Sequence, residues 1–376
     1  MGGRRKFLKQ AGAGVLFGLA APLLISPTCV RRPFLEERVE SPHEKKEEME
    51  SPSNNKQILP IYLTHCHHWF HAALWDAFSN GFLKSDELKG TQLDHYDSHM
   101  DLGPTSYLSR QDHVHFNIAQ NIKLLEKIGV DEYINFENKF LVHELNIGCF
   151  HNLGAFQGFW DAFNWYLPEW HADAEKEITR DINFCPYGSY VNLFPMECQE
   201  LSGSNQLAIP VTYSQSAVTN KPPVSEKYIA TVDLDFFSLC NTVATFDTIE
   251  GRQERNLLED LAKVDAIARS VGHQTKTLSR KYHPMTYEQM LRREHMMHGF
   301  VSQNFRQDVA PKLMHICESP AYCPREHAQP LMQALVNATH DFYSDRYDVQ
   351  VIDLRKFEFA NDKRYHPFIN LKRSLI

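Results

Sequence analysis

The segment TQLDHYDSHMDLGP, Thr91 to Pro104, sets Asp94, His95, Asp97, His99 and Asp101 within eight residues behind a short apolar start. Carboxylates and imidazoles this close disturb one another's ionisation. If the apolar start is a strand, Asp97, His99 and Asp101 alternate two apart as the chain leaves the sheet. Side chains at i, i+2 and i+4 of an extended segment point the same way, so two carboxylates and one imidazole would meet at one spot and repel without a cation. A mixed oxygen and nitrogen donor set suits a borderline divalent ion such as Mn²⁺, Zn²⁺, Fe²⁺ or Co²⁺. The bland alternative is a solvated acidic loop.

Two other stretches carry similar chemistry. In IATVDLDFFS, Ile229 to Ser238, four apolar or β-branched residues run straight into Asp233 and Asp235. Carboxylates buried at the end of a core strand are costly unless something positive meets them, and Phe236 and Phe237 argue against an open loop. LTHCHHWFH, Leu63 to His71, places His65, His67 and His68 after another apolar run. Its THCH start matches the Thr-His-x-His of metallo-β-lactamases superficially, but Trp69 and Phe70 stand where further ligands should follow. A His-x-His pair of amidohydrolase type, His65 and His67, stays open.

The elements that must position these residues alternate. ILPIYLTH, GTQLDHY, FNWYLP, LAIPVTY, KYIATVDLDF, KLMHICES and DVQVIDL read as strands. Helical spacing appears in HHWFHAALWDAFSNGFL, in HVHFNIAQNIKLLEKIG, in ERNLLEDLAKVDAIARSVG, in YEQMLRREHMMHGF, whose Met-rich side is assigned to the core, and in HAQPLMQALVNATHDFY. Strands alternating with helices predict an α/β fold, a mostly parallel sheet sandwiched by helices. Such sheets bind ligands just beyond the carboxyl ends of their strands, where all three acidic or histidine-rich stretches fall.

The chain has 376 residues, 43% of them hydrophobic, enough for one large domain over residues 58–376. A net charge of −8 with interspersed signs leaves no basic footprint for nucleic acid. At the start, Arg4-Arg5-Lys6-Phe7-Leu8-Lys9 precedes an uncharged run from Ala11 to Ile25, which is short for a membrane span and right for a signal. It resembles a twin-arginine export signal over residues 1–29, which implies the export machinery as a partner and a periplasmic or extracellular mature protein without a stable membrane span. Residues 30–57 are charged and Ser/Pro-rich, a disordered linker. The pairs Cys317–Cys323 and Cys185–Cys198 are candidates for oxidation after export.

His95-x-Asp97-Ser98-His99-x-Asp101-Leu102 and Asp233-Leu234-Asp235-Phe236-Phe237-Ser238, with an upstream histidine, resemble the binuclear site of the arginase/deacetylase (ureohydrolase-like) superfamily, and within it an uncharacterised family with these two motifs. Leu145–Trp170 adds likeness, so the resemblance runs in patches from about Leu59 to Arg325. It implies a three-layer α/β/α fold and two divalent transition-metal ions, manganese first and zinc or iron after it. His67 and Asp101 would hold one ion, His99 and Asp235 the other, and Asp97 and Asp233 would bridge them. The chain departs from the family near Cys66, where an acidic residue is expected. Glu318, in CESP, matches the substrate-facing Glu of arginases loosely. Proton-transfer candidates are His113, His115 and His151; His151 and, separately, Glu318 are carried as catalytic residues. The implied activity is hydrolysis of a non-peptide C–N bond in a small molecule: a guanidine, an amide or an acetylated amine. Two alternatives remain: a non-catalytic metal-stabilised binding module, and a mononuclear amidohydrolase-type enzyme using His65 and His67.

Overall fold

Seven apolar runs become seven parallel strands. The computed structural model describes residues 56–88, 90–102, 151–156, 159–187, 190–192, 209–221, 225–240, 282–320 and 322–362, all inside one unit, residues 54–376. The leader, nearly all of the linker, the helices expected at His113–Gly129 and Glu254–Gly272, and Cys198 lie outside the described residues.

The strands are β1 Gln57–Thr64, β2 Gln92–Tyr96, β3 Ala162–Leu167, β4 Ile178–Tyr187, β5 Tyr190–Asn192, β6 Ile209–Ala217, β7 Tyr228–Asp233, β8 Leu239–Cys240, β9 Tyr282–His283, β10 Met314–Cys317 and β11 Tyr347–Asp353. The helices are α1 Phe70–Ser79, α2 Ser85–Leu88, α3 His151–Phe156, α4 Tyr287–Leu291, α5 Arg293–Asn304, α6 Arg325–Tyr343 and α7 Arg355–Asn361. Among the described residues nine strands form one sheet in the order β11-β1-β10-β7-β2-β3-β6-β4-β5. From β11 to β6 every neighbouring pair is parallel, whereas β4 runs antiparallel to β6 and β5 turns back on β4. The fold is therefore α/β with a mostly parallel, mixed sheet. The β4–β5 hairpin and the small β8–β9 pair were not among the predicted strands.

Burial explains the strand order. β7 is buried along its whole length, as expected of a central parallel strand covered on both faces, while edge strand β11 alternates between partly buried and exposed. Tyr62, Leu93 and Phe163 pack on one face against α1 through Phe70, Leu74 and Phe78. Ile61, Leu63 and Val232 pack on the other against Met297, Phe300, Leu331 and Leu335 of α5 and α6. The predicted Met-rich helix is broken at Arg292 into α4 and α5, and Met297 does reach the core. Cys317 and Cys323 are buried, separate thiols, so that pair is not oxidised here. Among the described residues no helix is long and apolar enough to cross a membrane.

β2 splits its own polar residues between the two faces. Asp94, fully buried, turns away from the histidines and toward Lys221, whose Nζ lies 3.1 Å from Asp94 Oδ2. Lys221 also donates to the Asn304 carbonyl at 2.8 Å and to the Tyr96 hydroxyl, and its ammonium sits 4.8 Å above the rings of both Tyr96 and Tyr166. Asn164 donates to Asp94 Oδ1 at 2.9 Å. Removing one partner of such a buried pair leaves an uncompensated charge. Lys221→Met is therefore expected to lower unfolding free energy by about 3–5 kcal/mol in urea titration. A loss below about 1 kcal/mol would show that Asp94 is accommodated without its partner.

In α3, a Cβ on Gly154 would stand 1.8 Å from the Trp160 indole. That ring is 2% exposed and cannot swing aside. Gly154→Ala should cost about 1–3 kcal/mol through overpacking, read from the denaturation midpoint.

Candidate metal centre

β1, β10, β7 and β2 are neighbours in the sheet, so their carboxyl ends lie side by side, where α/β sheets take ligands. Past β1 a short 3-10 turn, His67–Trp69, carries His67 inward before α1 begins. Past β7 a second such turn, Leu234–Phe236, starts under Asp233, whose Oδ1 accepts the Asp235 N–H at 3.0 Å. Past β2 the chain does not stay extended. His99 N–H donates to Asp97 Oδ1 at 2.7 Å and Asp101 takes a left-handed φ of 53°. Asp97, His99 and Asp101 thus converge through a bend rather than through the expected strand alternation. A non-glycine residue held at positive φ is the kind of local strain that packed functional sites retain.

Asp97 is the hub. Its Oδ2 stands 3.1 Å from His67 Nδ1 and 3.3 Å from His95 Nε2. Its Oδ1 lies 3.5 Å from His99 Nδ1. His67 Nδ1 also has Asp233 Oδ2 at 3.2 Å and Asp101 Oδ2 at 3.4 Å. His99 Nδ1 meets Asp235 Oδ2 at 2.8 Å, and Asp235 Oδ1 accepts the Ser98 N–H at 3.2 Å. Two sets of ligand atoms result, His67–His95–Asp97–Asp101 and Asp97–His99–Asp235, each with all its atoms within 4.8 Å of one another. Asp97 belongs to both. His67 forms further sets with Asp233 and Cys317, and with His95 and His151.

The protonation pattern shows how the crowd is tolerated. Burial works against a charged His67, but hydrogen bonds with Asp101, Asp233 and Asp97 outweigh it and lift its pKa well above that of free histidine. His99 is raised in the same way, burial being overcome by Asp235 and Asp97. Asp97 is held well below the usual carboxylate range, because His67, His95 and His99 outweigh its burial. Burial and the neighbouring Asp97 push Asp101 up to about 6. Burial, Asp233 and Asp97 also push Asp235 well above the usual carboxylate range. A divalent cation would replace these protons with a stronger countercharge, and the oxygen and imidazole donors fit one.

All six expected ligands, His67, Asp97, His99, Asp101, Asp233 and Asp235, come together. Asp233 sits on the His67 side, grouped with Cys317. His95 joins them although it was not singled out as a ligand. Two positions before Asp97 on β2, it faces the same side, bonded to Thr231 Oγ1 at 2.9 Å on neighbouring β7. His151 packs edge-on against His95 with ring centroids 4.4 Å apart, and burial holds its pKa well down. His315 stacks on His67 at 5.4 Å. His113 and His115 lie outside the described residues.

Glu318 and His65 form a separate group beside the centre. His65 Nδ1 pairs with Glu318 Oε2 at 2.7 Å, Arg355 Nη1 donates to Oε1 at 2.7 Å, and Gln329 also donates to Oε1. Burial raises the Glu318 carboxyl, but His65 and Arg355 bring it below its usual range. His65 shares no ligand set with His67 among the described residues.

The side nearest solvent is that of His99, whose side chain is 30% exposed against 1% or less for Asp97, His67 and Asp235. Tyr322 covers it, its ring centroid 4.3 Å from that of His99.

Compared with known proteins, the chain matches no family model and no curated protein.

Proposed function

We propose that this protein is a metal-dependent hydrolase that cleaves a non-peptide C–N bond in a small molecule, with two divalent cations at the ends of β1, β7 and β2. One observation carries the reading: two ligand sets that share the single carboxylate of Asp97. The arginase/deacetylase resemblance of the motifs belongs to the same proposal, as do manganese as the first choice of ion and export through the twin-arginine leader to the periplasm or beyond.

When bound, such ions lower the pKa of water and polarise the carbon under attack. The chain's own part is to hold and orient. His67, His95 and Asp101 form one set of donors, His99 and Asp235 the other, and Asp97 has an oxygen turned to each. Asp235 is fixed by the Ser98 N–H and Asp97 by the His99 N–H. His99, 30% exposed beneath Tyr322, is the member of the outer set nearest solvent, which favours catalysis over a sealed structural ion. Glu318 already takes hydrogen bonds from Arg355 and Gln329 and pairs with His65, so it is suited to orienting groups rather than to accepting a proton. The engagement of His65 with Glu318 also weighs against a mononuclear His65/His67 enzyme.

The test is elemental analysis of protein purified without chelators and reconstituted with Mn²⁺, Zn²⁺ or Fe²⁺. The wild type should carry about two equivalents, the Asp235→Ala variant about one, and Asp97→Ala close to none. That pattern justifies screening guanidines, amides and acetylated amines for hydrolysis. One equivalent in the wild type would return the mononuclear reading, and two ions without turnover of any of these classes would return the binding module.

The pKa shifts set the pH dependence. Asp101 holds its proton to about 6 when folded, above its unfolded value, so it stabilises the metal-free fold in acid and loses that contribution as pH rises from about 4 through 6. Ligands must shed protons to take up a cation. The rise in melting temperature on adding Mn²⁺ should therefore be small near pH 5 and grow through about pH 7. A pH-independent rise would count against all the proton-bearing groups of the cluster, Asp101 among them, as ligands.

A further inference from the structure

The last described helix presents polar side chains to the turn that carries His67. Arg355, Glu358 and Asp362 stand three and four residues apart, the spacing that aligns one face of a helix, and none of the three was singled out from the sequence. Glu358 is 1% exposed. Its Oε2 accepts the His65 N–H at 2.6 Å and its Oε1 the Cys66 N–H at 2.8 Å. Asp362 Oδ2 meets His68 Nε2 at 2.9 Å and accepts from the Trp69 indole N–H at 3.2 Å. The residues on both sides of His67 are thus held by α7 and its end. Leu354 N–H donates to the Leu63 carbonyl at 2.9 Å, which docks the start of the helix on β1, and Phe357 lies edge-on to Trp69 at 6.2 Å.

An apolar contact would anchor a helix at lower cost than a buried carboxylate. What the carboxylate adds is direction: a fork taking two successive main-chain N–H groups fixes the path of the chain at that point. His67 needs that fixed path, since its Nδ1 stands within 3.4 Å of three aspartates contributed by two other strand ends. We propose that Glu358 and Asp362 are positioning residues for the metal centre, a clasp from the C-terminal helix that aims the His67 ring into the aspartate cluster. The inference rests on the metal-centre reading above. Neither residue touches an ion. They act through the turn, as groups behind metal ligands commonly do, and their loss typically costs 10–100-fold in affinity.

The experiment uses the full-length chain and Co²⁺ as probe, following affinity and the visible absorption spectrum, which reports ligand geometry. Glu358→Gln removes one of the two acceptors and should weaken Co²⁺ binding at least about tenfold and shift the spectrum. Asp362→Ala should shift both in the same direction. Leu335→Ala, in the core of α6 on the other face of the sheet, is the control. It should lower the melting temperature of the metal-free protein while leaving affinity and spectrum as in the wild type. If Glu358→Gln fails to fold, Asp362→Ala decides alone. Wild-type affinity and spectrum in the clasp variants would overturn the inference, and so would an equal loss in Leu335→Ala, since affinity would then simply track stability. A wild type that takes up no Co²⁺ is a different failure, that of the metal centre itself, and the clasp falls with it.

Discussion

Four aspartates at buried strand ends, Asp97, Asp101, Asp233 and Asp235, cannot all carry charge in a low-dielectric setting unless positive charge lies among them. This constraint organises the centre. Without a cation, the countercharge comes from protons: His67 and His99 are held protonated, while Asp101 and Asp235 are driven toward neutrality. The pattern is one of sharing, with Asp97 held ionised because three histidines surround it. A site that neutralises itself with protons in this way is one in which a cation and several protons compete for the same oxygens and nitrogens. Its occupancy is therefore linked to pH by construction.

The sheet makes such crowding affordable by placing each charge at a strand's end rather than along it. Because β1, β10, β7 and β2 are adjacent and parallel, four chain segments release polar residues at one edge while their apolar stretches remain in the core. β2 shows the economy of period two. His95 continues the line to Asp97, and Asp94 and Tyr96 turn to the opposite face, where Lys221 meets Asp94. The five acidic and basic residues that stand out in the sequence as one cluster are two clusters separated by the thickness of a sheet. Only one of them has the donors of a metal centre.

Much of this was legible in advance, for physical reasons that differ by element. The seven parallel strands announce themselves as short runs rich in apolar and β-branched residues, most plainly β7, which is covered on both faces. β4 was missed because only Ile178, Ile182 and Phe184 mark one of its faces, and Pro186 reads as an interruption. The acidic members of the cluster were legible from their incongruity, carboxylates directly after core strands. His95 was not, although its spacing from Asp97 places both on one side, because a histidine inside a strand is equally at home as a hydrogen-bonded core residue. Glu358 and Asp362 could not be found locally. Their partners are main-chain and side-chain groups about 290 residues earlier in the chain, and only the sheet order that makes β11 the neighbour of β1 brings them together.

That neighbourhood bears on how the centre is assembled. Among the described residues β1 is the first strand of the sheet in sequence and β11 the last, and the turn after β1 carries His67, which stands against three of the aspartates. The aspartates reach their positions through turns defined by neighbouring residues: Asp233 caps its own 3-10 turn, and Asp97 takes the N–H of His99 two residues on. His67 begins a 3-10 turn of its own, and its neighbours are held in addition from far along the chain. The N–H groups on one side of it go to Glu358, and side chains on the other side go to Asp362. Local turns hold the acidic half of the site, whereas the residues flanking the histidine that offsets their charge are held both by a 3-10 turn and by contacts from about 290 residues further along. Charge crowding and topology therefore meet at one place: the burial of the aspartates around His67 depends on contacts between the first and the last described strands and the helix that follows.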